Sequence, residues 1–307
     1  MEEQVSEFGL HLSDNRRTIL ILGATGMLGH MLVRVLSPLH SVVGTISTPY
    51  DQTKKIDQLL PRDRCIDLLD ITHWPRVEVV LREWRPDIVL NCVGLIKHKM
   101  NKRQTLDAIL INSVFPHQLA ITCTKLGIRL IHFSTDCVFA GRPGVKGPTD
   151  VPDAVDIYGV TKRLGEVDYG SSLTLRTSFI GRQITGNEEL IEWAISQRGN
   201  VVNGFRRAIY SGLTTRALSD IVALVINQFP NLVGLYQVAS SPISKFDLLS
   251  ELNMRMRLGM TINPDDSFEC DRTLDGSEFS NVTGIQAPSW DAMLSDLCSD
   301  QAIYGEP

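Results

Sequence analysis

Tyr158 and Lys162 are the residues of this chain whose types and spacing most directly suggest chemistry. At i and i+4 they share one face of a helix. An ammonium beside a phenol favours the phenolate, so the spacing predicts a tyrosine whose pKa falls from about 10 towards the working pH. Such a pair can give a proton to, or take one from, a carbonyl or alcohol oxygen. The same spacing also describes an ordinary exposed helix face. About twenty-three residues earlier, Ser134-Thr135-Asp136 closes an apolar run. A hydroxyl there can hydrogen-bond the oxygen that Tyr158 serves and polarise the carbonyl as hydride arrives. Thr135 and Asp136 are also common cap and turn formers, and Asp136 could instead bind substrate hydroxyls.

Hydride chemistry needs a carrier, and Gly23-Ala24-Thr25-Gly26-Met27-Leu28-Gly29 suggests one. It follows the apolar run Thr18 to Leu22 and precedes the amphipathic run Met31 to Leu36. In a strand, glycine turn and helix, the first glycine permits the turn and the second admits a pyrophosphate. The third lets helix and strand pack closely, with the phosphates on the helix N-terminus. Contacts are expected from Gly23, Thr25, Gly26, Met27 and Leu28. The second strand, Ser41 to Ile46, is not closed by the acidic residue that would hold a ribose 2′-hydroxyl. Thr45, Ser47 and Thr48 stand there, with Lys54 and Lys55 beyond. This favours NADP(H), with NAD(H) as the alternative.

The elements that must position these groups alternate. Asp51 to Arg64 reads as loop with a helical turn, and Cys65 to Asp70 as a third strand ending in carboxylates. Val77 to Trp84 has helical spacing closed by Pro86, and Asp87 to Gly94 reads as a buried strand. Leu106 to Leu126 is expected to be one long helix, kinked or interrupted at Pro116. Ile128 to Phe133, the helix Tyr158 to Tyr169 and the strand Leu173 to Arg176 follow. Beyond them, helices are expected at Leu190 to Gln197, Thr214 to Gln228 and Lys245 to Met256, with a strand at Leu232 to Val238. Thr261 to Trp290 reads as polar and irregular. The pattern predicts an α/β fold, a Rossmann-type doubly wound parallel sheet with a smaller, interleaved C-terminal substrate lobe. The expected division is an extension at 1–17, a dinucleotide-binding domain at 18–177 and a mainly substrate-binding lobe at 178–298, ending in a tail at 299–307. Segments of about 205–240 could return to the first domain.

At 307 residues, with 43% hydrophobic and 21% charged residues, the chain is an ordinary globular protein. Its formal charge of -5 gives no footprint for nucleic acid. Six cysteines show neither CxxC pairing nor metal-ligand spacing, which suggests a reducing, cytoplasmic setting. No apolar run approaches a membrane span, and Met1 to Arg17 lacks the apolar core of a signal peptide.

The glycine turn, Ser134 to Gly141 (STDCVFAG) and Tyr158 to Glu166 (YGVTKRLGE) together resemble the extended short-chain dehydrogenases/reductases. Within them the chain is most similar to the dTDP-4-dehydrorhamnose reductase group, from about Thr18 to Trp290. The resemblance implies a catalytic triad of Thr135, Tyr158 and Lys162. Tyr158 would protonate the C4 oxygen of a nucleotide-linked 4-keto sugar as hydride reaches C4 from NADPH, and Lys162 would also hold the nicotinamide ribose. It further implies that Asp67 and Leu68 contact adenine, that Cys92, Val93, Gly94 and Ser134 line the cofactor, and that Asn112 stands behind the site. Phe179 occupies a position where these reductases often carry a substrate-packing tryptophan. Arg272, in Asp271 to Leu274, loosely matches an arginine segment near the sugar nucleotide.

Two departures bear on the reaction. The 4,6-dehydratases of this superfamily place Asp-Glu after the threonine, whereas here Cys137 follows Asp136, which disfavours dehydration. Cys137 falls where GDP-fucose synthases carry an epimerising cysteine, but their partner histidine has no counterpart, because the histidines end at His132. Reduction without epimerisation is favoured, with Cys137 as a wall residue facing substrate. Cations for a diphosphate are sought among Lys97, His98, Lys99, Arg182, Arg206 and Arg207. Two alternatives stand beside the reductase: an epimerase holding NAD, and a non-catalytic dinucleotide-binding regulator like the methionine adenosyltransferase regulatory subunit. A homodimer is one option that the resemblance allows.

Overall fold

The computed structural model describes residues 16–53, 55–96, 104–184, 189–300 and 304. The expectations for Lys54, for Lys97, His98 and Lys99, and for most of the N-terminal extension lie outside them.

Strands β1 (Thr18–Leu22), β2 (Ser41–Thr45), β3 (Cys65–Ile66), β4 (Ile88–Asn91), β5 (Arg129–Thr135) and β6 (Ser172–Thr177) form a parallel sheet. Between them run α1 (Met27–Leu36), α2 (Trp74–Trp84), α3 (Thr105–Ala108), α4 (Phe115–Leu126) and α5 (Ile157–Leu164). After β7 (Phe179–Ile180), α6 (Leu190–Ser196), β8 (Val201–Tyr210), β9 (Leu213–Thr214) and α7 (Thr215–Gln228), strand β10 (Gly234–Gln237) pairs in parallel with β6. The order is β10-β6-β5-β4-β1-β2-β3, so the direction of winding reverses between β1 and β4. A crevice opens at the carboxyl ends of the strands at such a reversal.

The alternation along β1 shows why both faces are covered. Ile19 and Ile21 point into a core with Leu32, Leu36 and Leu218, whereas Leu20 and Leu22 point into another with Leu81, Phe115 and Leu119. A strand buried on both faces reads as a continuous apolar run. Among the described residues, no helix is long and apolar enough to cross a membrane.

The chain ends with β11 (Ile243–Ser244), α8 (Lys245–Arg255), β12 (Thr261–Arg272), α9 (Ser277–Thr283) and α10 (Trp290–Ser299). Strands β11, β8 and β12 make a second sheet, with β12 parallel to β8. This corrects the expectation of an irregular segment from Thr261 to Trp290. The polar β12 lies mostly exposed at the sheet edge, so no apolar alternation marks it. Other boundaries also differ. The third strand stops at Ile66 because Leu68 adopts a left-handed φ of 55°. Helix α5 stops at Leu164, where Gly165 backs onto Asn112. The tail is docked where it is described: Arg34 Nη2 donates to Asp300 Oδ1 at 2.8 Å, and Tyr304 hydrogen-bonds His30.

The interruption expected at Pro116 takes the form of a π-helical segment, Ile109–Val114, between α3 and α4. Proline has no N–H to offer the carbonyl four residues back, that of Asn112. A Cβ on Gly165 would lie 1.8 Å from that carbonyl oxygen, so the site accepts only glycine in this close approach.

Candidate active site

A cavity of about 360 Å³ opens at the carboxyl ends of β1, β4, β5 and β6. On its first side, Gly23 turns the chain with φ +80°, and its amide meets Thr45 Oγ1 at 3.3 Å. A Cβ on Gly29 would come within 2.0 Å of the Gly23 carbonyl oxygen, so the third glycine is what lets α1 start so close to β1. Gly26 caps α1 without a side-chain hydrogen bond, and the first turn carries no acid. Its amides and the positive end of the helix dipole therefore favour an anion. Thr25 and Gly26 flank that end, and Met27 and Leu28 line the cavity itself.

At the ends of β2 and β3, Thr45 is buried and committed to the glycine turn. Asp67 accepts from the Tyr50 amide at 2.9 Å, which leads the causes holding its carboxyl below the usual range. Leu68 is 50% exposed. Arg62, which the sequence did not single out, donates to Asp67 Oδ1 at 3.1 Å and lies over the Tyr50 ring at 5.2 Å. Its place depends on the loop before β3 folding beside β2, where Arg62 Nη1 donates to the Cys65 carbonyl.

Cys92, Val93 and Gly94 leave β4 along the cavity wall. Asn91 Oδ1 accepts the Val93 amide at 3.2 Å, and Asn112 clasps Leu95 through both its N–H and its carbonyl, at 2.8 and 3.0 Å. The π-helical segment thus turns Asn112 towards the loop after β4.

Thr135, Tyr158 and Lys162 all line the cavity. Asp156 caps α5 by accepting from the Gly159 amide at 3.1 Å. A Cβ on Gly159 would lie 2.3 Å from the Cys137 carbonyl oxygen, so α5 presses on the turn after β5 and brings Tyr158 to Thr135. Lys162 is 5% exposed and donates to the Phe133 carbonyl at 2.7 Å. Burial lowers its ammonium to about 8. The expected lowering of the Tyr158 pKa is reversed: burial pushes the phenol up, and the lysine spends its hydrogen bond on Phe133. Tyr158 is therefore a neutral phenol with a proton to give. Ser134 lines the cavity, but its hydroxyl donates to Glu166 at 2.6 Å.

Cys137, Phe179 and Arg272 form the far wall, with Ser178 and Glu189. Arg272 Nη1 donates to Cys137 Sγ at 2.9 Å. Burial holds the thiol up at about 12, hence protonated. Asp136 is buried behind Thr135, whose hydroxyl donates to it at 3.2 Å, and burial raises its carboxyl. The other arginines are elsewhere. Arg207 pairs with Glu269 at 2.5 Å on exposed strand surface, Arg206 pairs with Asp266, and Arg182 is buried against Glu192 at 2.6 Å. Parallel pairing of β8 with β12 gives Arg206 and Arg207 acidic neighbours, and none of the three lines the cavity. Glu189 carried no sequence signal.

A sequence model of the RmlD substrate-binding-domain family matches residues 17–192. The chain is 33% identical over 150 residues to a dTDP-4-keto-6-deoxy-D-glucose reductase of Streptomyces niveus, covering 48% of this chain and 45% of that protein. It is 27% identical over 150 residues to methionine adenosyltransferase 2 subunit beta of Xenopus laevis, covering 49% and 42%. These alignments span about half the length of those relatives. The crystal structure of dTDP-4-dehydrorhamnose reductase from Bacillus anthracis, a complex with NADP, superposes with a TM-score of 0.74 at 22% identity, covering 92% of this chain and 99% of that one. That likeness establishes a shared fold. With the family's motifs brought to one cavity and more than half of the sequence matched, the chain belongs to the RmlD substrate-binding-domain family.

Proposed function

We propose that the protein is an NADPH-dependent reductase of the C4 ketone of a nucleotide-linked 4-keto-6-deoxy sugar. The observation that carries the reading is the meeting of Thr135, neutral Tyr158 and buried Lys162 in one cavity, beside the uncapped N-terminus of α1. The residues fit a dinucleotide, because the glycine turn leaves room for backbone approach and the amides of α1 have no side-chain cap. The bound cofactor would supply hydride. Tyr158 holds a proton at its phenolic oxygen for the ketone oxygen, and Thr135 offers that oxygen a hydroxyl once its hydrogen turns from Asp136. Lys162 presents its ammonium towards the cofactor side, beside Cys92 on the loop after β4. Phe179 and Arg272 face the sugar nucleotide.

The relative from Streptomyces niveus supports a keto-sugar substrate, and the Arg62 guanidinium near the end of β2 supports a 2′-phosphate. The same reading includes a homodimer, since Leu106, Leu110, Val114 and Ile121 leave an apolar stripe exposed along one helical stretch. Sedimentation would test that part.

The decisive test is oxidation of NADPH with freshly generated dTDP-, UDP- and GDP-linked 4-keto-6-deoxy sugars. One of them is consumed, and Tyr158→Phe reduces turnover by about 10²–10⁴-fold, the usual worth of a general acid, while NADPH still binds. Near-native turnover in that variant refutes the mechanism. NADPH binding without turnover of any keto sugar would favour a regulatory role, as the match to the adenosyltransferase subunit would then suggest.

A further inference from the structure

Glu166 follows Lys162 by four residues, and none of the chemistry above uses it. Its side chain is 10% exposed, yet it is fully engaged. Ser134 Oγ donates to it at 2.6 Å, and Arg176 donates through Nε at 2.9 Å and Nη2 at 2.7 Å. Arg176 is itself 4% exposed, with its guanidinium 5.3 Å from the centre of the Phe139 ring. The backbone just before Glu166 is pinned by the contact of Gly165 with the Asn112 carbonyl.

A buried ion pair is a poor source of stability, because desolvation offsets most of the attraction and an apolar replacement is often as stable. Its placement points to another role. Ser134 immediately precedes Thr135 at the end of β5. Arg176 precedes Thr177, Ser178 and Phe179, which line the cavity after β6. Glu166 itself leaves α5 just after Lys162. One carboxylate therefore ties together the three chain segments that carry the reacting hydroxyl, the ammonium and the wall opposite.

We propose that Glu166 is a positioning residue: its carboxylate clasps the ends of β5 and β6 to the exit of α5, and supplies the negative charge facing the Lys162 ammonium.

The groups that face Lys162 are Cys92 after β4, His132 on β5, Tyr158 on its own helix and Glu166. Burial keeps the Cys92 thiol protonated and His132 neutral, so neither offsets the ammonium. Burial draws Lys162 down and Glu166 draws it back up. Without that carboxylate the lysine loses its proton at lower pH.

The inference rests on the cofactor-binding part of the proposed function. The test is NADPH affinity followed by fluorescence from about pH 6 to about pH 9, in wild type, Glu166→Gln and the double variant Glu166→Gln/Arg176→Met. The double variant removes both charges, so it folds even where the single one, with an unpaired buried arginine, does not. Its affinity is expected to fall off about one pH unit earlier than in wild type, a loss of about fivefold at pH 8, with little change in thermal midpoint. A fall-off that coincides with wild type overturns the proposal, because a purely structural ion pair would not move it. A wild type that binds no NADPH at any pH refutes the cofactor reading instead, so the two failures are distinct.

Discussion

Lys162→Met should make the cofactor-free protein more stable while abolishing the proposed reduction. The ammonium is 5% exposed, and burial lowers it from its ordinary 10.5 to about 8. The folded state therefore binds this proton less tightly than the unfolded chain does. For a base shifted downward, the penalty is fully present below the folded value and disappears as pH rises through the unfolded one. The lowering is worth about 3 kcal/mol at pH 7 and less than about 1 kcal/mol at pH 10. Methionine fills similar volume without the charge but gives up the hydrogen bond to the Phe133 carbonyl, which costs about 1 kcal/mol. The variant should thus gain about 2 kcal/mol at pH 7. Urea unfolding of both proteins at pH 7 and pH 10 measures this, and the wild type should recover about 2 kcal/mol relative to the variant across that interval. A variant that is less stable at pH 7, with a difference independent of pH, would show that Lys162 is not held against its own desolvation.

Two further outcomes follow from the geometry. Arg62→Ala removes the cation lying over Tyr50 and bonded to Asp67, so NADPH affinity should drop by about tenfold while NADH affinity stays. Equal weakening of both cofactors would place Arg62 outside the 2′-phosphate site. Cys137→Ser should leave reductive turnover close to wild type, because burial keeps the thiol protonated at neutral pH. In the same experiment the sugar ring should take up no solvent deuterium next to the former ketone; uptake that vanishes in the serine variant would mean that Cys137 epimerises.

Much of the molecule was legible in the sequence, for local reasons. The glycine turn needs a positive φ at Gly23 and bare backbone at Gly29, and only glycine satisfies both. The parallel sheet announced itself because β1 and β4 are buried on both faces and read as short, nearly continuous apolar runs. That Thr135, Tyr158 and Lys162 would meet at one cavity was foreseeable because a strand end and a helix face fix them within short stretches of chain. What tertiary structure alone decided were properties of neighbours distant in sequence. The pKa of Tyr158 goes up rather than down because the phenol is desolvated by burial and Lys162 turns to the Phe133 carbonyl. Arg207 leaves the candidate site because β12, hidden to periodicity by its exposed edge, brings Glu269 beside it, while Arg272 at the end of the same strand reaches Cys137. Pattern along the chain dictates which elements form, since it follows from local backbone geometry and burial. Which charge meets which depends on strand pairing across tens of residues, and no spacing in the sequence records that.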